Sequence, residues 1–266
     1  MKKIYAIPSY NCNLNCPHCD VHKRNIKINE EKFFKTLLSI DADIITLFGG
    51  EPLLYKDIFY KCINTNKITN VSTNLLLLDD DLFKTINENS LPLATSWNPK
   101  RFTSDQYKLW LDNIKKFKNT NVSIEVLITL TEDLITSDIG EILNVIMDID
   151  DTNTVDGILF EPLVDNNINE AFHERCDEWL CNIHKHWNFT TKNLIEKNVL
   201  NWNFDCSDTW TLEPSGELRL GCPQYTNRNI LSKCLSCDLA SKCRPCMIQN
   251  CCSFPKKLYG LINEEK

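Results

Sequence analysis

No apolar run in these 266 residues is long enough to cross a bilayer. The most apolar local runs, such as NLLLL (74–78), stop far short of the about 20 residues a membrane helix needs. No long apolar stretch follows the opening MKK, so no signal peptide is expected, and the chain reads as soluble and cytoplasmic. Long basic runs are missing as well. The net charge is -7, from 29 Lys and Arg against 36 Asp and Glu, and nothing in it asks for duplex nucleic acid. There is no low-complexity linker and no repeat beyond an alternation of strand-like and helix-like runs.

What the chain does have is cysteine, fourteen in all. In a reducing compartment that many thiols are not expected as disulfides, and metal or redox roles take their place. Their positions are uneven. Three sit at Cys12, Cys16 and Cys19; three are scattered, at Cys62, Cys176 and Cys181; eight crowd the last quarter, at Cys206, Cys222, Cys234, Cys237, Cys243, Cys246, Cys251 and Cys252. Cys62, in the helix-like YKDIFYKCINTN, reads as a small buried hydrophobe. That explanation fails for CLSCDLASKCRPC, where four thiols fall within thirteen residues.

The length and a 42% hydrophobic content suit one large α/β domain with an appendage. Strand-like runs are IYAIP (4–8), DIITLFG (43–49), NVSTN (70–74), PLATSW (92–97), SIEVLITL (123–130) and GILFEPLV (157–164). Amphipathic runs separate them at 29–40, 55–66, 79–90, 104–119 and 137–149, several opening on an Asn, Asp or Ser suited to an N-cap. In the fourth, Tyr107, Leu109 or Trp110, Ile114 and Phe117 fall near helical spacing. Six strands with helical crossovers predict a parallel sheet curled into a partial (β/α)6 barrel, too few units for a closed eight-stranded one. Ligands of such sheets sit at the carboxyl ends of the strands. The three early cysteines follow the first strand there, GGEP (49–52) the second, STN (72–74) the third and SWNP (96–99) the fourth.

CNLNCPHC after the first strand and GGEP after the second together resemble the radical S-adenosylmethionine (SAM) superfamily. The resemblance implies that Cys12, Cys16 and Cys19 hold a four-iron, four-sulfur cluster, leaving one iron open for the amino and carboxylate groups of SAM. It places His18 near the adenine, although a histidine merely exposed on the loop is the other reading. It implies that Gly49 and Gly50 let the backbone approach SAM and that Glu51 accepts from the SAM ammonium. Ser72, Thr73, Asn74 and Ser96 match positions that touch the ribose or the methionine carboxylate, or else they only form turns. Glu161, inside the sixth strand, faces either the barrel lumen or its rim.

CSDTWTLEPSGELRLGC (206–222) reads as a hairpin turning at PSG, and with the cysteine knot it resembles the SPASM extension of the same superfamily. By that resemblance the chain divides into a core barrel with a following helix (1–190) and a small cysteine-rich hairpin and loop domain (191–266), carrying one or two auxiliary four-iron clusters. Cys206, Cys222 and Cys246 would hold one, and Cys234, Cys237 and Cys243 would begin another. Cys251 and Cys252 complete the count, or Cys176 or Cys181 supplies a ligand instead. A zinc site on the C-x2-C-x5-C-x2-C run is the alternative metal. The implied activity is reductive SAM cleavage to a 5′-deoxyadenosyl radical and hydrogen abstraction, most often from a peptide or protein. The implied partners are an external electron donor such as flavodoxin or ferredoxin and, because the barrel starts almost at residue 1 and a fused N-terminal recognition domain is not expected, either a separate peptide carrier or direct docking of the peptide. A small metabolite, sugar or nucleotide substrate, and a non-catalytic iron–sulfur or zinc protein, are the competing classes.

Overall fold

In a computed structural model, residues 2–19, 26–162, 170–186, 209–220 and 257 are described. Strands and helices alternate as β1 (Lys3–Ala6), α1 (Glu30–Ser39), β2 (Ile44–Leu47), α2 (Lys56–Ile63), β3 (Asn70–Ser72), α3 (Asp80–Glu88), β4 (Leu93–Trp97), α4 (Ser104–Lys115), β5 (Ile124–Leu130), α5 (Glu132–Ile135), α6 (Ile139–Asp150), β6 (Gly157–Pro162) and α7 (Glu170–His186). A hairpin, β7 (Thr209–Leu212) and β8 (Leu218–Leu220), follows. The sheet order is β6-β5-β4-β3-β2-β1-β7-β8, all parallel except the β7–β8 pair, and the sheet is open. The expected six-unit α/β architecture is therefore present as a partial barrel. Among the described residues no helix is long and apolar enough to cross a membrane.

Local chemistry accounts for the helix starts. The side chains of Asn29, Asp79, Thr103, Thr131 and Asp138 each accept from a first-turn backbone N–H, and Thr103 with Gln106 forms a reciprocal capping box. On α4 the spacing seen in the sequence becomes packing: Trp110, Ile114 and Phe117 are fully buried, while Leu109 is exposed. The helices cover one face of the sheet through Ile45, Leu47, Val71, Leu93, Val126 and Ile128, which join one continuous core. Because side chains alternate along a strand, the opposite face carries Thr46, Asn70, Ser72, Ser96, Glu125, Leu127, Thr129 and Glu161. That inner face is mostly polar, unlike the doubly apolar strands of a sheet covered on both sides.

One difference from the sequence reading has a clear cause, and the C-terminal hairpin adds a contact that the sequence reading did not include. Strand β3 stops at Ser72 because Thr73 and Asn74 turn away to bond Glu51. The hairpin placed by sequence in the C-terminal unit is hydrogen-bonded into the barrel sheet, with Tyr5 opposite Thr211 and Ile7 N–H donating to Leu212 O at 2.9 Å. Its turn rests on α1, where Asn29 N–H donates to Pro214 O at 2.8 Å and Thr36 Oγ1 to Gly216 O at 2.9 Å.

Candidate functional site

The loop that leaves β1 carries Cys12, Cys16 and Cys19. It is held from below by a small apolar group in which buried Ile7 and Tyr10 pack with Cys19 and Phe48. Cys16 is buried and the other two are half-buried. The cysteines are near neighbours: the charge of Cys16 acts on Cys12, and that of Cys19 on Cys16. Burial pushes the Cys12 and Cys16 thiols above their ordinary range. Among the described residues no three His, Cys, Asp or Glu side chains converge on a single metal ion. Cluster ligands each take a different iron, so they stand farther apart than ligands of one ion.

GGEP locks onto this loop by backbone. Gly50 N–H donates to Ser9 O at 3.1 Å and Glu51 N–H to Asn11 O at 2.9 Å. A Cβ on Gly49, which has φ +142°, would lie 2.3 Å from Ser9 O, and one on Gly50 2.1 Å from Asn11 O. The close approach that demands both glycines is thus made by the cysteine loop itself, in addition to any approach to SAM. Glu51 is 2% exposed. Its Oε1 accepts from Leu53 N–H at 2.9 Å and Thr73 Oγ1 at 2.7 Å, and its Oε2 from Asn74 N–H at 2.7 Å. Burial raises its pKa, opposed by these bonds and by Arg101. Three of roughly four acceptor positions on the carboxylate are occupied by protein. Asn74 is buried, and its Nδ2 lies 2.8 Å from Asn13 Oδ1 and 3.9 Å from Cys12 Sγ.

Ser72 and Ser96 lie on the inner face, half-buried, with no hydrogen bond to their hydroxyls among the described residues. His18 is half-buried rather than fully exposed, and burial, then the charge of Arg101, lowers its pKa. Glu161 occupies the inner face: it is in register with Thr129, while its neighbour Phe160 points the other way onto Trp179 of α7, ring centroids 5.7 Å apart. Burial, with the charge of Glu125 adding to it, pushes its pKa up to about 7.

Sequence reasoning missed Arg101, which follows SWNP in the turn after β4. Its charge acts on Cys12, Cys16, His18 and Glu51 alike, and its buried Nε has no hydrogen-bond partner among the described residues. A basic residue just beyond a β-strand's carboxyl end was the available signal. It also missed buried Glu213, which accepts from the Tyr10 hydroxyl and, through Oε1, from Arg219 Nε at 3.0 Å. That network ties the cysteine loop to the β7–β8 hairpin across a separation of 203 residues that no local pattern spans.

The scattered cysteines behave as core. Burial pushes Cys62 and Cys176 up to about 12 and half-buried Cys181 to about 11, and all three pack with the main hydrophobic cluster. Cys206, Cys222, Cys234, Cys237, Cys243, Cys246, Cys251 and Cys252 lie outside the described residues.

The site fits the implied cofactors on its own features. Three thiols sit on one loop, and among the described residues the Nε of Arg101 and the hydroxyls of Ser72 and Ser96 have no hydrogen-bond partner, which suits an anion and a polar ligand. No curated protein matches the sequence. Several solved structures share the fold. Native anSMEcpe with bound AdoMet and Cp18Cys peptide has a TM-score of 0.67 at 16% identity, covering 99% of each chain. Streptococcus suis SuiB bound to S-adenosylmethionine has a TM-score of 0.61 at 14% identity, over 91% of this chain and 71% of that one. SuiB bound to its precursor peptide SuiA has a TM-score of 0.60 at 15% identity, over 91% and 70%. The sequence profile of the Radical SAM superfamily matches residues 6–146, more than half of the chain. The chain therefore belongs to the radical SAM superfamily.

Proposed function

We propose that this enzyme binds SAM at an iron–sulfur cluster held by Cys12, Cys16 and Cys19 and takes hydrogen from a peptide or protein substrate. The observation that carries the reading is the convergence of the three-cysteine loop, Gly49–Glu51 and Arg101 at the carboxyl ends of one parallel sheet. When bound, the cluster supplies the electron that cleaves the C5′–S bond of SAM and yields the hydrogen-abstracting radical. The chain's own residues position the reactants. Glu51 braces the β3 turn and keeps acceptor capacity for the SAM ammonium. Arg101 offers positive charge to the SAM carboxylate. Ser72 and Ser96 present hydroxyls to the ribose or the carboxylate, and His18 lies beside the adenine. The polar inner face, with Glu125, Thr129 and Glu161, receives the substrate.

Peptide as the substrate class is supported by the peptides bound in two structures of like fold. The C-terminal cysteines are assigned to one or two auxiliary SPASM-type clusters that accept the substrate's second electron, a flavodoxin or ferredoxin supplying the first. What supports this is the sequence pattern, in which Cys206 and Cys222 flank the hairpin string TWTLEPSGELRL and six more cysteines follow. With three four-iron clusters the reconstituted protein carries about twelve irons, and about eight once Cys12, Cys16 and Cys19 are replaced. The substrate test is mass spectrometry of short peptides encoded beside the gene after anaerobic incubation with reduced protein and SAM. A SAM-dependent loss of hydrogen from such a peptide supports the reading; reaction only with small metabolites overturns the peptide assignment.

A further inference from the structure

The side chain of Asn74 is committed to the cysteine loop. An amide NH2 has two donor hydrogens and a carbonyl acceptor. Nδ2 lies 2.8 Å from Asn13 Oδ1 and 3.9 Å from Cys12 Sγ, and Oδ1 accepts from Leu76 N–H at 3.0 Å. Both donors therefore have protein partners, which leaves none for SAM. Cys12 Sγ also receives Leu14 N–H at 3.4 Å.

The backbone around Asn74 is fixed at a cost. Leu75 is fully buried at φ +61°, a left-handed conformation that a leucine adopts only when its surroundings impose it. Buried Asn113 holds it there, its Nδ2 donating to Leu75 O at 2.8 Å. On the other side, Asn74 N–H donates to Glu51 Oε2 at 2.7 Å. The turn thus aims one amide at one sulfur.

Hydrogen bonds to ligand sulfurs are among the determinants of an iron–sulfur cluster's potential, because they favour the reduced, more negative state. We propose that Asn74, oriented by Asn13, donates to the Cys12 sulfur and thereby makes the SAM-site cluster easier to reduce. It is a positioning residue that acts through Cys12. The inference rests on Cys12 being an iron ligand, and the experiment separates the two ideas.

The test is a redox titration of the reconstituted full chain followed by electron paramagnetic resonance. The SAM-site signal is identified as the one lost in Cys12→Ala. Asn74→Ser keeps an acceptor for Leu76 N–H and removes the amide donor without adding a charge. Asn13→Ala leaves Asn74 in place and releases its aim. At a fixed reductant potential, Asn74→Ser should lower the reduced-to-oxidised ratio of that signal by about tenfold, equal to ~59 mV for a one-electron couple. Asn13→Ala should move it the same way by less, with iron content unchanged in both. An unshifted midpoint in both variants overturns the Asn74 role. A Cys12→Ala variant that keeps every signal overturns the assignment of Cys12 itself.

Discussion

Replacing Glu51 by Gln tests the brace beneath the site. The carboxylate is 2% exposed and accepts Leu53 N–H, Thr73 Oγ1 and Asn74 N–H at 2.7–2.9 Å. A glutamine retains one acceptor oxygen, so at least one of these donors must face an NH2 group. Losing a hydrogen bond to a charged group costs about 1.5–3 kcal/mol. Each kcal/mol lowers Tm by about 2–4 °C in a chain of this size. The expected loss for Glu51→Gln is therefore about 3–12 °C, read by circular dichroism, and it should appear without SAM. SAM affinity should fall as well. A variant with wild-type Tm and only weakened SAM binding would mean that Glu51 serves the cofactor alone and that the three internal bonds contribute nothing.

Other perturbations read different parts of the account. Gly50→Ala puts a Cβ 2.1 Å from Asn11 O, a backbone atom that cannot rotate away, so the cysteine loop must shift; overpacking of this kind costs about 1–3 kcal/mol, and iron loading should fall sharply, with wild-type iron content contradicting the close-packing argument. The pKa of Glu161 is raised to about 7 in the folded chain, so the native state holds its proton more tightly than the unfolded state. Stability should then decline as pH rises from the unfolded carboxylate range through about 7 and level off above it. Glu161→Gln should be more stable than wild type at pH about 8 and indistinguishable at pH about 5 by thermal unfolding; equal stability at both would place the carboxylate in water. Tyr10→Phe removes a donor from buried Glu213 and should cost about 1.5–3 kcal/mol in a urea titration, an unchanged midpoint showing that the carboxylate does not depend on the Tyr10 hydroxyl.

Much of this was legible in the sequence because it is local. The Thr103 cap and the Trp110–Ile114–Phe117 stripe write α4 and its ends into one contiguous stretch, 103–117, and the β-strand runs are short. The three-cysteine loop and GGEP are contiguous strings whose order along the chain already places them at adjacent strand ends. What escaped is non-local. Nothing near TWTL announces that it pairs with β1, since parallel pairing has no turn to mark it. The roles of Gly50 and Asn74 are set by Asn11 and Cys12, residues distant in sequence that come close only in the fold. Arg101 escaped as well, because the four groups its charge acts on, Cys12, Cys16, His18 and Glu51, come from two loops other than its own.

The measurement that bears most directly on the central claim is 5′-deoxyadenosine formation by the anaerobically reconstituted, dithionite-reduced protein supplied with SAM. Wild-type protein should form 5′-deoxyadenosine and Cys16→Ala none, with the C-terminal iron retained in that variant. Wild-type protein that carries its full iron and makes no 5′-deoxyadenosine, or a Cys16→Ala variant that makes as much as wild type, would contradict that claim.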